Sequence, residues 1–250
     1  MATIRCGEYL FEDISAVLFD KDGTLAYVED YLCELGHERI CQIAAALPDI
    51  ANSITANLTA AMGISAEGIN PAGLMAIASR HENEIAAAAY VANTGIGWME
   101  SKAIVKAAFD RAKANMPTQA DRTPLILEGR SLIAQLKTAG VKVGIISADS
   151  HTAVSEFIDY YNLSSKIDWY CGSSKATIDK TAPNALAYAC KALGRQPTQT
   201  LVIGDSMADW VLAQQGAAGF IATTGGWRQE LTIPEARITV AQLSQVECFD

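Results

Sequence analysis

Residues 16–20 read Ala-Val-Leu-Phe-Asp, an apolar run that breaks at once into the polar turn Asp-Gly-Thr, and this feature most limits the fold. A short run of strand formers bounded by turn residues marks a buried strand. The chain repeats the device at residues 141–146, 169–171, 201–203 and 219–222. Between these runs, residues 127–139, 154–161, 184–193 and 208–215 carry helical spacing. Three of those helices are stopped by Gly140, Gly194 and Gly216. Strands that alternate with amphipathic helices form parallel βαβ units with right-handed crossovers. The fold class is therefore α/β, a Rossmann-like parallel sheet buried on both faces.

One stretch departs from this rhythm. From about Tyr27 to Asn115 the sequence is alanine-rich, helical in its spacing and poor in strand signals. Four or five helices are expected there, with breaks near Pro48, at 63–71 and at 94–97. The organisation that follows is a discontinuous core, 1–26 and 122–250. An all-helical cap, 27–121, is inserted after the first strand.

Charge excludes some function classes. Twenty-eight acids against nineteen bases give a net charge of −9, which repels nucleic-acid phosphates and anionic lipid heads. Neither nucleic acid nor membrane is expected as a partner. The longest apolar stretch, 85–92, is too short to cross a bilayer, and residues 1–15 lack a signal-peptide run. A cytoplasmic location is expected, and the six cysteines, without a Cys-x-x-Cys pair, read as reduced and mostly buried thiols. His37, His81 and His151 are scattered and give no support for zinc. Oligomeric state has no sequence signal. An anionic substrate needs a local cation, either a metal or a lysine.

In doubly wound sheets, ligands gather beyond the carboxyl ends of the strands. There the first strand presents Asp20-Lys21-Asp22-Gly23-Thr24-Leu25, and the second ends at Ser147. Lys180 precedes a later helix, and a further strand runs into Gly204-Asp205-Ser206-Met207-Ala208-Asp209. In kind and order these four segments resemble the motifs of the haloacid dehalogenase-like superfamily, in its phosphatase branch. The cap's position resembles that of the phosphoglycolate phosphatase and β-phosphoglucomutase subgroup. The first and last segments carry the specificity, since a lone serine at a strand end is ordinary turn chemistry.

The resemblance implies that Asp20 is a nucleophile that forms an aspartyl-phosphate. Asp22 emerges on the same side if the chain stays extended, and fits the acid that protonates the leaving oxygen and then the base that activates water. Its presence argues for phosphate rather than halide chemistry. Mg2+ is the implied cofactor, held by the Asp20 carboxylate, the Asp22 backbone carbonyl and the Asp205 carboxylate. Ser147, Ala148 and Lys180 are the implied phosphate-binding positions, with Lys180 also serving the nucleophile. Ala148 stands where many relatives have asparagine, which leaves it no polar side-chain contact. Lys180 is placed just before a helix whose first turn would hold Pro183, and Lys175 competes for its role. Asp209 fits two roles, partner of Ser206 in a helix cap and support of the metal from behind. Thr24 is expected, like Asp209, to support the metal ligands from behind, or else to hydrogen-bond within the turn.

Other positions carry weaker signals. Arg228, after Gly225-Gly226-Trp227, is either an anchor for an anionic substrate tail or a surface residue. Residues 94–98 form a turn between cap helices or a loop that reaches substrate. Tyr27, Glu29 and Asp30 line an entrance or are exposed polar surface. Lys102 and Lys106 would be Schiff-base candidates only in a phosphonate hydrolase. The cap is expected to close over the site and to govern substrate choice. The expected function is Mg2+-dependent hydrolysis of a small phosphorylated metabolite. The alternatives are a phosphomutase of the same family and a non-catalytic regulatory binder, the latter disfavoured because a binder has no need of both Asp20 and Asp22.

Overall fold

The computed structural model describes residues 1–173 and 179–249. Two compact units appear, Met1–Val28 with Thr123–Asp250, and Glu29–Arg122. In chain order the first segment gives β1 (Ala2–Cys6), β2 (Tyr9–Ile14) and β3 (Ala16–Phe19). The second unit follows with α1 (Glu29–Ala46), α2 (Ala51–Ala61), β4 (Ile64–Ser65), β5 (Gly68–Ile69), α3 (Leu74–Ile77), α4 (Arg80–Ala92), α5 (Trp98–Asn115) and α6 (Gln119–Arg122). The chain then returns with α7 (Leu127–Thr138), β6 (Lys142–Ser150), α8 (His151–Tyr160) and β7 (Trp169–Ser173). It closes with α9 (Ala185–Leu193), β8 (Thr200–Gly204), α10 (Met207–Ala213), β9 (Gly219–Thr223), β10 (Thr239–Val240) and β11 (Val246–Phe249).

The main sheet has six strands in the order β10-β9-β8-β3-β6-β7, all paired in parallel. Its centre is β3, whose four residues are fully buried because both faces are covered. Val17 and Phe19 point to one side, where β1 and β11, α7 and α8 supply Ile4, Val246, Ile133 and Phe157. Ala16 and Leu18 point to the other, against α9 and α10 with Leu186 and Leu212. Period-two alternation thus serves two apolar layers at once. Burying the apolar side chains in each layer stabilises by about 1.5–3 kcal/mol apiece.

Several features depart from the sequence expectation. The strand that precedes the insertion is third in the chain, although it is the first of the parallel sheet. Ahead of it, β1 and β2 form an antiparallel hairpin, and β11 pairs on the other edge of β1 to complete a three-stranded sheet. Strand β10 was not expected either, because two residues carry no period. The Glu29–Arg122 unit is helical except for the two-residue strands β4 and β5. Its interior is held by Ile40, Ile54, Leu58, Val105 and Phe109, all nearly inaccessible. Arg39 lies over the Phe109 ring at 4.4 Å. Ser79 and Glu82 close α4 with a capping box.

Glu29 is not exposed surface. It is buried inside this unit and accepts a hydrogen bond from the Ile69 amide at 3.3 Å. Tyr27 and Asp30 are exposed. Residues 94–97 form the turn between α4 and α5, and Lys106 pairs with Asp110 on the surface. Cys6, Cys171 and Cys190 are buried, whereas Cys41 is exposed. Among the described residues, no helix is long and apolar enough to cross a membrane.

Candidate active site

The polar side chains gather where β3, β6 and β8 end side by side. Asp20 follows β3 directly, and its amide donates to the Ile203 carbonyl of β8 at 2.9 Å. That bond continues the parallel ladder one step past the strand and aligns the Asp20 exit with the Asp205 exit. Residues 21–26 then fold into a tight turn, with the Leu25 and Ala26 amides donating to the Lys21 carbonyl at 2.8 and 2.9 Å. Gly23 sits at φ +80, the left-handed region that favours glycine.

Asp20, Asp205 and Asp209 are all buried, and each offers a carboxylate oxygen within 4.8 Å of the others. Lys180, itself 7% exposed, donates to Asp20 Oδ1 and, at 2.8 Å, to Asp209 Oδ1. The other Asp209 oxygen accepts from the Ser206 hydroxyl at 2.6 Å and the Ser206 amide at 3.1 Å. Asp209 therefore fastens the start of α10 and also faces Lys180. The Asp205 carboxylate receives Thr24 Oγ1 on one oxygen at 3.1 Å and the Trp227 indole N–H on the other at 2.6 Å.

Asp22 lies apart from this cluster in its contacts. Its carboxylate pairs with Lys21, whose ammonium is fully buried, reaches Asp149 at 3.2 Å and lies 5.5 Å from the Phe157 ring centre. Ser147 is buried in β6, and its hydroxyl accepts from the Asp149 amide at 3.1 Å, whereas Ala148 is half-buried. Pro183 does not begin a helix. It stands in a turn, with Asn184 as the N-cap of α9. Lys180 thus lies too far ahead of α9 for the helix dipole to bear on it, and its partners are the two carboxylates. Lys175 lies outside the described residues.

Burial dominates the electrostatics. It pushes the Asp20 carboxyl well above its ordinary range; Lys180 opposes the rise, while Asp209 and Asp205 add to it. Asp22 is raised to about 6 by burial, with Lys21 opposing and Asp149 and Asp20 reinforcing. Asp205 is raised to about 6 by burial and by Asp209, against the Trp227 hydrogen bond. Lys180 is held above its usual range because Asp20 and Asp209 outweigh the desolvation that would lower it. Three buried carboxylates facing this lysine leave an excess of negative charge, which a bound cation would relieve. The donors are hard oxygens and at least two elements supply them, so the residues present fit Mg2+.

The sequence reading missed Trp227, Lys21 and Asp149. A detectable signal existed for Trp227. A tryptophan beside two glycines after a strand needs an acceptor for its N–H if it is buried, and the strand exits supply carboxylates. Arg228, the residue singled out from that loop, is exposed.

Comparison with known proteins places this geometry in context. A family model described as a haloacid dehalogenase-like hydrolase matches residues 14–216. Phosphoglycolate phosphatase 1 of Pseudomonas aeruginosa is 26% identical over 155 residues, which span 62% of this chain and 56% of that protein. Among solved structures, a predicted phosphoglycolate phosphatase from Haemophilus somnus superposes with TM-score 0.63 at 16% identity, covering 93% of this chain and 96% of that one. A protein described as a haloacid dehalogenase-like hydrolase from Bacteroides fragilis gives TM-score 0.63 at 20% identity, with 93% and 99% covered. CbbY from Rhodobacter sphaeroides, in complex with phosphate, gives 0.54 at 18%, with 92% and 95% covered. These structural likenesses establish a shared fold.

Proposed function

The chain belongs to the haloacid dehalogenase-like hydrolases, and from that premise we propose that it is a Mg2+-dependent phosphatase acting on a small phosphorylated metabolite. One observation carries the reading. Asp20, Asp205 and Asp209 are buried together at the ends of β3 and β8, with Lys180 between Asp20 and Asp209. Buried carboxylates repel one another, and clusters of them concentrate at sites that bind a cation or carry a reaction. Further support comes from the relatives, which include phosphoglycolate phosphatases and a protein complexed with phosphate.

In this reading Asp20 and Asp205 hold the ion through their carboxylates and Asp22 through its backbone carbonyl, with Asp209 supporting from behind. When bound, Mg2+ supplies the positive charge that lets an anionic nucleophile approach an anionic ester. Lys180 orients Asp20 and adds a second positive charge beside the phosphoryl oxygens. The Asp20 oxygen that does not accept from Lys180 attacks phosphorus, a P–O bond forms, and the ester P–O bond breaks. Asp22 gives its proton to the departing oxygen. It then takes a proton from water, whose oxygen attacks phosphorus. The bond between phosphorus and Asp20 breaks, which releases inorganic phosphate and restores the carboxylate. Ser147 and the backbone near Ala148 donate to the phosphoryl oxygens.

The test is phosphate release from p-nitrophenyl phosphate and from a panel of phosphorylated metabolites, with and without Mg2+. Turnover is expected to require the metal and to vanish in Asp20→Asn with an unchanged circular dichroism spectrum. Full turnover by Asp20→Asn would sink the nucleophile assignment. Binding of a metabolite with no turnover across the panel would favour a regulatory binder.

A further inference from the structure

We propose that Trp227 is a positioning residue for Asp205: its indole N–H fixes the carboxylate in the orientation from which it holds the divalent cation. The proposal rests on the reading of Asp205 as a metal ligand. Trp227 stands in the segment between β9 and β10, outside every motif that carries the family resemblance, yet it is only 8% exposed. Its Nε1 donates to Asp205 Oδ2 at 2.6 Å, a short bond to a carboxylate acceptor, while Thr24 Oγ1 donates to Oδ1 at 3.1 Å. Donors from two different loops therefore grip the two oxygens of one carboxylate. A carboxylate held at both ends has one orientation, and each oxygen keeps a second lone pair for a metal. The indole offers a donor only, so it cannot ligate the ion itself.

The loop is built to deliver this contact. A Cβ on Gly226 would lie 2.0 Å from the Gly23 carbonyl oxygen, so the tryptophan's loop rests directly on the Asp22–Thr24 turn. A Cβ on Gly23 would lie 2.2 Å from Asp205 Oδ2 and 2.3 Å from Trp227 Nε1. Gly23 thus clears the space in which indole and carboxylate meet, and Gly226 lets the loop lie against the turn. Outer hydrogen-bond partners of this kind orient a ligand and set its basicity, and their loss weakens metal affinity by roughly 10–100-fold.

The experiment measures binding, not turnover. Mg2+ affinity is read by titration calorimetry on the wild-type protein and on Trp227→Phe, which keeps an aromatic ring and removes the donor. In parallel, Mg2+ is titrated into wild-type protein labelled with 15N-tryptophan, with Trp98→Phe, Trp169→Phe and Trp210→Phe used to assign the indole signals. The Trp227 N–H signal is expected downfield of the others and to move on Mg2+ addition, and Trp227→Phe is expected to bind Mg2+ at least tenfold more weakly. Equal Mg2+ affinity in the two proteins, or a Trp227 signal that stays still while calorimetry records binding, overturns the proposal and leaves the phosphatase reading standing. If Trp227→Phe does not fold, the wild-type titration alone decides. Absence of Mg2+ binding to the wild-type protein overturns the metal reading and this proposal with it.

Discussion

A methyl group added at Gly23 tests the packing at the centre of the site. Gly23→Ala must keep φ near +80, which costs an L-residue about 1–2 kcal/mol. The smaller entropy of the unfolded alanine chain returns about 0.4–1 kcal/mol. The new Cβ would stand 2.2 Å from Asp205 Oδ2, 2.3 Å from Trp227 Nε1 and 2.8 Å from Asp205 Cγ. Neither neighbour is a loose side-chain end, because Thr24 and Trp227 hold Asp205 while Gly226 seats the tryptophan's loop. Overpacking of this kind costs about 1–3 kcal/mol. The sum is a loss of about 1–4.6 kcal/mol, or a fall in Tm of roughly 2–18 °C for a chain of this size. Gly140→Ala is the control. Gly140 has φ +72, close to that of Gly23, but a Cβ there meets nothing within 4 Å. Thermal melts in EDTA, followed by circular dichroism, should show Gly140→Ala paying the backbone cost alone. Gly23→Ala should fall below it by the steric remainder. Equal losses in the two variants would refute the argument that Asp205 and Trp227 are locked against the turn.

Three further outcomes are expected. Lys21→Met removes a fully buried ammonium that pairs with Asp22 and Asp149, and should cost about 3–5 kcal/mol in urea unfolding; wild-type stability would show that these carboxylates do not depend on it. Mg2+ at about one hundred times its Kd should stabilise the wild-type protein by about 2.7 kcal/mol, and this gain should be lost in Asp205→Asn, as read by melts with and without the ion. Asp168 accepts from Lys137 and Lys142 at 2.5 and 2.8 Å and from the Val143 amide at 2.8 Å. Although burial alone would raise its pKa, these donors outweigh it and hold the carboxyl below its ordinary 3.8. A carboxylate whose pKa is depressed by folding stabilises fully above the unfolded value and ceases to as pH falls through the folded one. Asp168→Asn should therefore cost about 1–3 kcal/mol at pH 7. The difference from wild type should shrink below pH 3.8, and a constant difference across that range would refute the assignment.

The sequence alone determined those features that depend on neighbours along the chain. A buried parallel strand must be apolar throughout, so residues 16–19 and 201–203 announce themselves, and the carboxylates at their exits follow by adjacency. Asp209 was legible as the partner of Ser206, because a helix start fixes the spacing from Ser206 to Asp209, whereas its contact with Lys180 was not. What only tertiary structure decided lies where partners are remote in sequence. The strand β1 finds half its pairing in β11, at the far end of the chain, a partner that its own alternation of buried Ala2, Ile4 and Cys6 with Thr3 and Arg5 cannot name. Lys21 looks like a surface lysine until the fold wraps Asp22, Asp149 and Phe157 around its ammonium. Trp227 looks like loop filler until β8 and β9, lying side by side, bring its N–H to Asp205. Local patterns encode which backbone a segment adopts, whereas the charge and hydrogen-bond state of a side chain depends on atoms that only the folded chain brings within a few ångströms.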